Sequence, residues 1–400
     1  MKKRLFLLLL GCATMLGAQA QLSGAGYYRV KNVSTGRYMS LSDNHSKGFN
    51  FASTSADCGA MATSSIWEDI SHDPGSVFYL DHISGESYNV VGQGTSLYGI
   101  IQYYIYLSPV GKYYKAWQED SGQRITLTDK KSSKAVSYVT TTGTYSTWNI
   151  TPINTSDNYI GVKPTVTVGD KHYAAVFAGY PYTLGAGMKA YYVTEVIEKE
   201  GVIIIKELTG TIPAKTPVLI ECASTDVSKN QVTPVVSDAA VPSDLAAQVK
   251  GVYFCIGNPW SGHFNSVKFD ASSMRAFSAN SYGYIAMTTS KDALTSVNID
   301  QEDSNGDNLS VLAIPANSWY LSVSSSAPSE MKMVTAEQYA TGIKDITVKP
   351  ASLYNVYTLE GVQIKKNATS ISDLHQGIYI INGKKVIIKP KIRNYHPIHD

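Results

Sequence analysis

The chain has 400 residues, of which 34 are basic and 32 acidic, and a formal net charge of +2. Nucleic-acid binding needs a strong positive charge that this chain lacks, so we predict no nucleic-acid partner. The 28 tyrosines, 31 glycines and only 16% charged residues favour an all-β protein, because tyrosine fits the half-buried surface of a pleated sheet.

Residues 1–20 are predicted to be a secretory signal peptide. Three basic residues precede an apolar run, and the small residues Ala18 and Ala20 form a cleavage site. The run is too short to span a bilayer and no later stretch is apolar enough, so we predict no transmembrane segment. One alternative stays open, because Leu9-Leu10-Gly11-Cys12 resembles the box of a lipoprotein, which would be anchored at Cys12.

Residues 21–154 contain three similar segments, which begin near Tyr27, Val77 and Arg124. Each starts with an alternating strand, passes a polar turn and enters a second strand. Each ends on a tryptophan, and these are Trp67, Trp117 and Trp148. Because one such unit cannot bury its apolar face alone, we predict a β-trefoil whose three units share one core that contains the three indoles.

The opening YYRVKNVSTGRYMSL of this region resembles the ricin-B-like lectin family. That resemblance implies a trefoil fold and a carbohydrate ligand. The family's usual Gln-x-Trp motif is replaced, since Ser65, Lys115 and Ser146 stand two positions before the tryptophans.

Five tyrosines in the second segment are candidate ligand-binding residues, because exposed tyrosines stack on sugar rings or contact protein surfaces. They are Tyr103, Tyr104, Tyr106, Tyr113 and Tyr114. The alternative is an ordinary edge strand, whose tyrosines divide between core and surface.

Residues 159–340 are predicted to form an antiparallel β-sandwich region, because short apolar runs alternate there with Gly, Pro, Asn and Ser. The segment IPAKTPVL at 212–219 is echoed by IPANSWYL at 314–321. Cys222 and Cys255 lie in two apolar runs, and we expect either two buried thiols or a disulfide between them.

Residues 343–390 resemble the C-terminal sorting domain of the Bacteroidetes type IX secretion system, and residues 391–400 form a tail. The matching residues include Gly377, Tyr379, Gly383, Lys384 and Lys385. The resemblance implies a small Ig-like sandwich, the type IX machinery as a partner, and a location outside the cell or on its outer-membrane surface.

No sequence motif marks catalysis, since the chain has neither a G-x-S-x-G nor an H-E-x-x-H motif. We therefore predict no catalytic residues, no cofactor and no metal, and leave enzymatic activity undecided but disfavoured. The first hypothesis is a secreted or cell-surface binding protein that uses the trefoil to bind a glycan or a surface protein. The alternatives are a secreted hydrolase of unrecognised type and a structural surface or matrix component without a small ligand.

Overall fold

A computed structural model of the chain describes most residues between Leu22 and Ile388. The described residues are 22, 24–42, 49–50, 60–64, 67–92, 95–96, 105–120, 122–130, 135–140, 143–153, 157–252, 257–258, 263–264, 267–279, 284–302, 308–341, 354–359, 361–368, 374–375 and 377–388. The predicted signal peptide, the 391–400 tail and the candidates Tyr103 and Tyr104 lie outside them, as does Cys255.

The described residues confirm the predicted all-β fold, because helices occur there only as short connections. The helices are α1 (Trp67–Ile70), α2 (Ala336–Ala340) and the 3₁₀ turns Pro74–Ser76, Glu198–Glu200, Val227–Lys229 and Lys291–Ala293. None of the helices in the described parts has the length and apolar character needed to cross a membrane. The chain divides into two compact units, Met1–Ala336 and Glu337–Asp400.

The first region of the larger unit is a twelve-stranded sheet. Its strands are β1 (Gly26–Asn32), β2 (Tyr38–Ser42), β3 (Phe49–Asn50), β4 (Ala60–Ser64), β5 (Phe78–Ser84), β6 (Ser87–Gly92), β7 (Thr95–Ser96), β8 (Ile105–Val110), β9 (Tyr113–Asp120), β10 (Gln123–Lys130), β11 (Ala135–Val139) and β12 (Thr147–Pro152). The first strand pairs with the last, and further pairings join β1 to β5 and β9 to β10, so the sheet closes on itself. Helix α1 follows β4 and contains the tryptophan that ends the first repeat, Trp67.

Trp148 lies at the centre of this region's apolar core. It is fully buried, and its Nε1 donates a hydrogen bond to the Leu127 carbonyl oxygen at 3.0 Å. The expectation that Trp67 and Trp117 share this core is wrong, since both are only half-buried. Trp67 begins α1 and packs edge-on against Tyr159 instead.

A buried ion pair attaches the turn after β1 to β10. Both Asp129 carboxylate oxygens accept from Arg37, Oδ2 from Nε at 3.0 Å and Oδ1 from Nη2 at 2.5 Å. Thr35 Oγ donates to Oδ2 of the same carboxylate at 2.6 Å. Gly36 completes the turn with a φ of 69°, a left-handed conformation that glycine adopts without strain.

The middle region contains seventeen strands among its described residues. They are β13 (Ile160–Gly161), β14 (Val166–Val168), β15 (Lys171–Val176), β16 (Tyr182–Leu184), β17 (Lys189–Ile197), β18 (Val202–Leu208), β19 (Val218–Cys222), β20 (Gln231–Pro234), β21 (Val249–Val252), β22 (Gly257–Asn258), β23 (His263–Phe264), β24 (Met274–Ala279), β25 (Ile285–Thr288), β26 (Thr295–Glu302), β27 (Asn308–Ala313), β28 (Ser318–Ser322) and β29 (Glu330–Thr335). A ten-stranded sheet has the order β14-β15-β19-β17-β18-β29-β25-β24-β28-β21, and a three-stranded sheet has the order β13-β20-β16. The pairs β22–β23 and β26–β27 form two further small sheets.

The ten-stranded sheet contains the same four-strand arrangement twice. The order β15-β19-β17-β18 in one half matches β21-β28-β24-β25 in the other, and every pairing within each set is antiparallel. The echoed IPAK and IPAN segments precede β19 and β28, and their fourth residues both have positive φ, 57° at Lys215 and 54° at Asn317. Strand β29 joins the halves, parallel to β18 and antiparallel to β25.

Two apolar clusters form the core of this region, and its packing as an antiparallel β-sandwich stays a prediction. One cluster places Ile160, Tyr182 and Val232 of the three-stranded sheet against β15, β17 and β19. The other cluster joins the two halves of the large sheet and includes Leu219, Phe277 and Trp319. Cys222 lies in the first cluster, where burial raises the pKa of its thiol to about 12.

The smaller unit has one antiparallel sheet of four strands among its described residues. The strands are β30 (Tyr354–Tyr357), β31 (Gln363–Ala368), β32 (Gly377–Ile381) and β33 (Lys384–Ile388), in the order β31-β30-β32-β33. Gly377 and Tyr379 of the sorting-domain pattern lie in β32, and Lys384 and Lys385 begin β33. The turn between these strands is Asn382-Gly383, with φ values of 48° and 79°, the left-handed pair that a two-residue hairpin requires.

Candidate functional site

The predicted tyrosine site does not assemble from its described members. Tyr114 is 3% exposed and belongs to the N-terminal core, whereas Tyr113 on the same strand is half-buried. Tyr106 stacks on Trp117 with ring centroids 4.2 Å apart, and the Arg124 guanidinium lies 3.8 Å from the Trp117 ring centroid. Two planar groups this close must cover opposite faces of the indole, which leaves no open face of Trp117 for a sugar ring.

A cavity of about 700 Å³ lies where the N-terminal region meets the middle region. Its N-terminal wall is the turn after α1, formed by His72, Asp73 and Pro74. The other walls come from the segment 160–167, from β15 and β16, and from the IPAN turn before β28. Ligand pockets have volumes of about 300–1,000 Å³, so this cavity has the size of a small-molecule site.

Aromatic side chains supply much of the cavity's apolar wall. Tyr180, Phe277 and Trp319 line it, and all three are buried. A hydrogen bond fixes the Trp319 indole, since its Nε1 donates to the Val218 carbonyl oxygen at 2.8 Å. Burial raises the pKa of the Tyr180 phenol, which therefore stays neutral.

Three lining residues of the cavity each have one buried polar atom without a hydrogen-bond partner among the described residues. The atoms are His72 Nδ1, the Tyr182 hydroxyl and Asn317 Oδ1, and each is buried. Burial raises the pKa of the Tyr182 phenol, so its hydroxyl keeps its proton. A buried polar group without a partner costs about 1–3 kcal/mol, so the presence of three such groups on lining residues makes this cavity the candidate site.

A buried arginine holds the N-terminal wall in place. Arg29 is fully buried, and its Nη1 and Nη2 donate to the carbonyl oxygens of Ile70 and Tyr159, each at 3.0 Å. Its guanidinium also lies 5.0 Å from the centroid of the Trp67 ring. These contacts tie α1, which precedes His72, to the segment that enters the middle region.

Charged groups lie in the lining of the cavity and directly behind it. Burial lowers the pKa of Arg29 to about 10, so it stays cationic at neutral pH, and it interacts electrostatically with the Asp73 carboxylate. That carboxylate accepts from the Gly75 amide at 2.8 Å and from the Ser40 hydroxyl. Lys163 and Asp292 are exposed lining residues of opposite charge. Of the lysine, arginine and acidic side chains in this lining, Lys163 is basic, and Asp73 and Asp292 are acidic.

Asp73→Asn is expected to stabilise the protein at neutral pH. Burial is the largest influence on the Asp73 carboxyl and raises its pKa above the usual 3.8. A raised folded-state pKa favours the protonated acid, so this stabilisation is complete below about pH 4 and is lost as the pH rises through the folded pKa. Urea midpoints between about pH 4 and pH 7 should show the variant's advantage growing with pH.

An exposed carboxylate provides a control of opposite sign for this measurement. Hydrogen bonds from Tyr192 and Lys206 lower the pKa of Asp244, so Asp244→Asn should lose stability relative to wild type as the pH rises. An Asp73→Asn advantage that is independent of pH, or absent at pH 7, contradicts the interpretation of Asp73.

Comparisons with known proteins do not identify a family for this chain. The sequence matches no known protein-family model, and no curated protein is similar to it. The cavity therefore has to be interpreted from its own chemistry.

No local sequence pattern marks the three cavity residues, because they are far apart in the chain. His72 lies in a turn, Tyr182 begins β16, and Asn317 precedes β28. One signal pointed to part of the site, namely the repeated IPAK and IPAN segments, whose second copy supplies Asn317. Among the described residues, no group of three or more His, Cys, Asp or Glu side chains is placed to hold a metal ion.

Proposed function

We propose that this chain is an exported binding protein that holds a small ligand in the cavity between its N-terminal and middle regions. The observation that carries the proposal is the set of three unpaired polar atoms, on His72, Tyr182 and Asn317, at one cavity. A ligand that pairs them offsets the cost of leaving them buried without partners.

Binding fits the cavity better than hydrolysis does. Among the described residues, neither a serine nor a cysteine is hydrogen-bonded to His72, and the Asp73 carboxylate accepts from Ser40 and Gly75 rather than from the imidazole. Nucleophilic catalysis needs a nucleophile, a base and an orienting acid in contact with one another. The described arrangement supplies donors and acceptors for a ligand instead.

The proposal also includes export of the protein from the cytoplasm. The predicted signal peptide at 1–20 and the resemblance of 343–390 to type IX sorting domains support a secreted or cell-surface location. The resemblance of 21–154 to ricin-B-like lectins supports a glycan or a surface protein as the kind of target. The cavity, rather than Tyr106 and its neighbours, is proposed as the place where a small ligand binds.

A cavity-filling variant tests this proposal. Ala174 is buried and lines the cavity, so Ala174→Leu should occupy its space without exposing apolar surface. The mature protein is screened by thermal shift against neutral sugars, sugar acids, amino acids and fatty acids. At least one compound should raise the melting temperature of wild type and of the comparison variant Tyr106→Ala, but not that of Ala174→Leu.

Two results would contradict the proposal. One is that no compound in the four classes shifts the wild-type melting temperature. The other is a shift that persists in Ala174→Leu, or that disappears only in Tyr106→Ala. Tyr182→Phe, which removes one oxygen and keeps the ring, is the second cavity variant should Ala174→Leu fold poorly. It should weaken the same shift.

A further inference from the structure

We infer that the ligand of this cavity is a single-chain amphiphile, with an unbranched alkyl chain in the cavity and a carboxylate head group at the ammonium group of Lys163. The inference rests on the proposed function and adds to it the chemical class of the ligand. Two features of the lining that a ligand can reach support it. One is a set of half-buried aliphatic side chains, and the other is an unpaired charge at the exposed edge.

Aliphatic side chains supply lining surface that stays accessible to a ligand. They are half-buried rather than fully buried, and they are Pro164, Val166, Ala175, Val176, Leu294 and Ala316. These residues come from separate stretches of chain, so the surface has no single flat face. A flexible alkyl chain can follow such a surface, and each methylene group that becomes buried tightens binding about fourfold.

The segment 163–167 forms an edge of this apolar surface. Lys163, Thr165 and Thr167 are exposed, whereas Pro164 and Val166 between them are half-buried. All of these residues line the cavity. A polar edge beside an apolar wall matches a molecule with a head group and an alkyl chain, because the chain leaves water while the head group stays hydrated.

Lys163 supplies the charge that selects the head group. In the part of the chain that the structure describes, no carboxylate lies within ion-pair distance of its ammonium group. The two acidic lining residues already accept hydrogen bonds. Asp73 accepts from the Gly75 amide at 2.8 Å, and Asp292 accepts from the Ser290 hydroxyl at 3.3 Å. An anionic head group therefore gains a partner at Lys163, whereas a cationic head group is repelled by it.

Ten-carbon probes that differ only in the head group test the ligand class. Isothermal titration of the mature protein at neutral pH compares decanoate, 1-decanol and decylammonium, each below its micelle concentration. Decanoate should bind about fivefold more tightly than decylammonium, with 1-decanol between them, which is the size of effect expected for an exposed ion pair. Octanoate should bind at least about fivefold more weakly than decanoate, because it lacks two methylene groups.

Lys163→Gln removes the charge and leaves the apolar lining unchanged. This variant should bind decanoate about threefold more weakly than wild type and should bind 1-decanol equally well. Lys250→Gln is the matched control, because Lys250 is also an exposed lysine of the middle region but is not a lining residue of the cavity. It should bind all of the probes as wild type does. Ala174→Leu should abolish the binding of decanoate.

The outcomes separate this inference from the proposed function. The inference is overturned if decylammonium or octanoate binds as tightly as decanoate, or if Lys163→Gln keeps the wild-type affinity for decanoate. If only sugars or amino acids bind, and Ala174→Leu abolishes that binding, the cavity is a ligand site but the ligand class is wrong. If decanoate binding persists in Ala174→Leu, or no compound binds at all, both the inference and the proposed function fail.

Discussion

Asp129→Asn is expected to lower the free energy of unfolding by about 3–5 kcal/mol, because it removes one charge of a buried, hydrogen-bonded ion pair. Asp129 is fully buried and Arg37 is 8% exposed, so neither charge is well solvated by water. The same carboxylate accepts from Thr35, so the substitution also loosens the turn that this contact ties to β10. Guanidinium-induced unfolding followed by tryptophan fluorescence measures the change.

The double variant Arg37→Met/Asp129→Asn distinguishes the effect of the two charges from the effect of the other contacts of Asp129. It removes both charges of the buried pair, so it should recover part of the stability that Asp129→Asn loses. The exposed pair Lys206–Asp244, with a distance of 3.0 Å, is the comparison, and Asp244→Asn should change the unfolding midpoint far less. Equal losses of stability in Asp129→Asn and Asp244→Asn would show that the Arg37–Asp129 ion pair stabilises the fold no more than an exposed pair does.

Trp319→Ala should also lower the free energy of unfolding by about 3–5 kcal/mol and should abolish ligand binding. Trp319 is 1% exposed and packs in the apolar cluster that joins the two halves of the large sheet. Its loss opens a hole in that cluster, removes the hydrogen bond to the Val218 carbonyl, and deletes one aromatic wall of the cavity. Denaturant unfolding gives the stability change, and titration with a compound that raises the wild-type melting temperature gives the affinity.

Trp117→Ala is the matched tryptophan control. Trp117 is half-buried and lies outside the cavity lining, so this variant should lose less stability and keep the ligand. The loss of stability in Trp319→Phe should lie between those of Trp319→Ala and Trp117→Ala. This variant keeps an aromatic ring at the cavity but removes the indole donor to the Val218 carbonyl. A Trp319→Ala protein with wild-type affinity would remove this residue from the site.

The strands and turns of this chain were predictable because their signals are local. Alternating side chains predicted the first strands of the repeats, and the turns at Gly36 and Gly85 have the positive φ values that their glycines permit. The IPAK and IPAN echo was also visible, and it marks the duplicated half of the middle sheet.

At Trp117 two sequence patterns disagree: the alternation along the strand places it outside the core, and the repeat pattern places it inside. Along β9, Tyr114 and Ala116 are buried and Trp117 is only half-buried, as strict alternation requires. The repeat pattern instead placed all three tryptophans inside, because it treated a large apolar side chain as a core residue. The cavity was beyond any local signal, since it depends on how the turn after α1 meets β16 and β28 in space.

Strand β29 has a consequence for how the protein reaches its native state. It is the last strand of the larger unit, and it alone lies between β18 and β25 in the ten-stranded sheet. The two duplicated halves come from separate stretches of chain, and this bridge comes after both of them. A nascent chain therefore lacks the bridging strand until almost all of the unit has been made, and such high contact order makes folding slow.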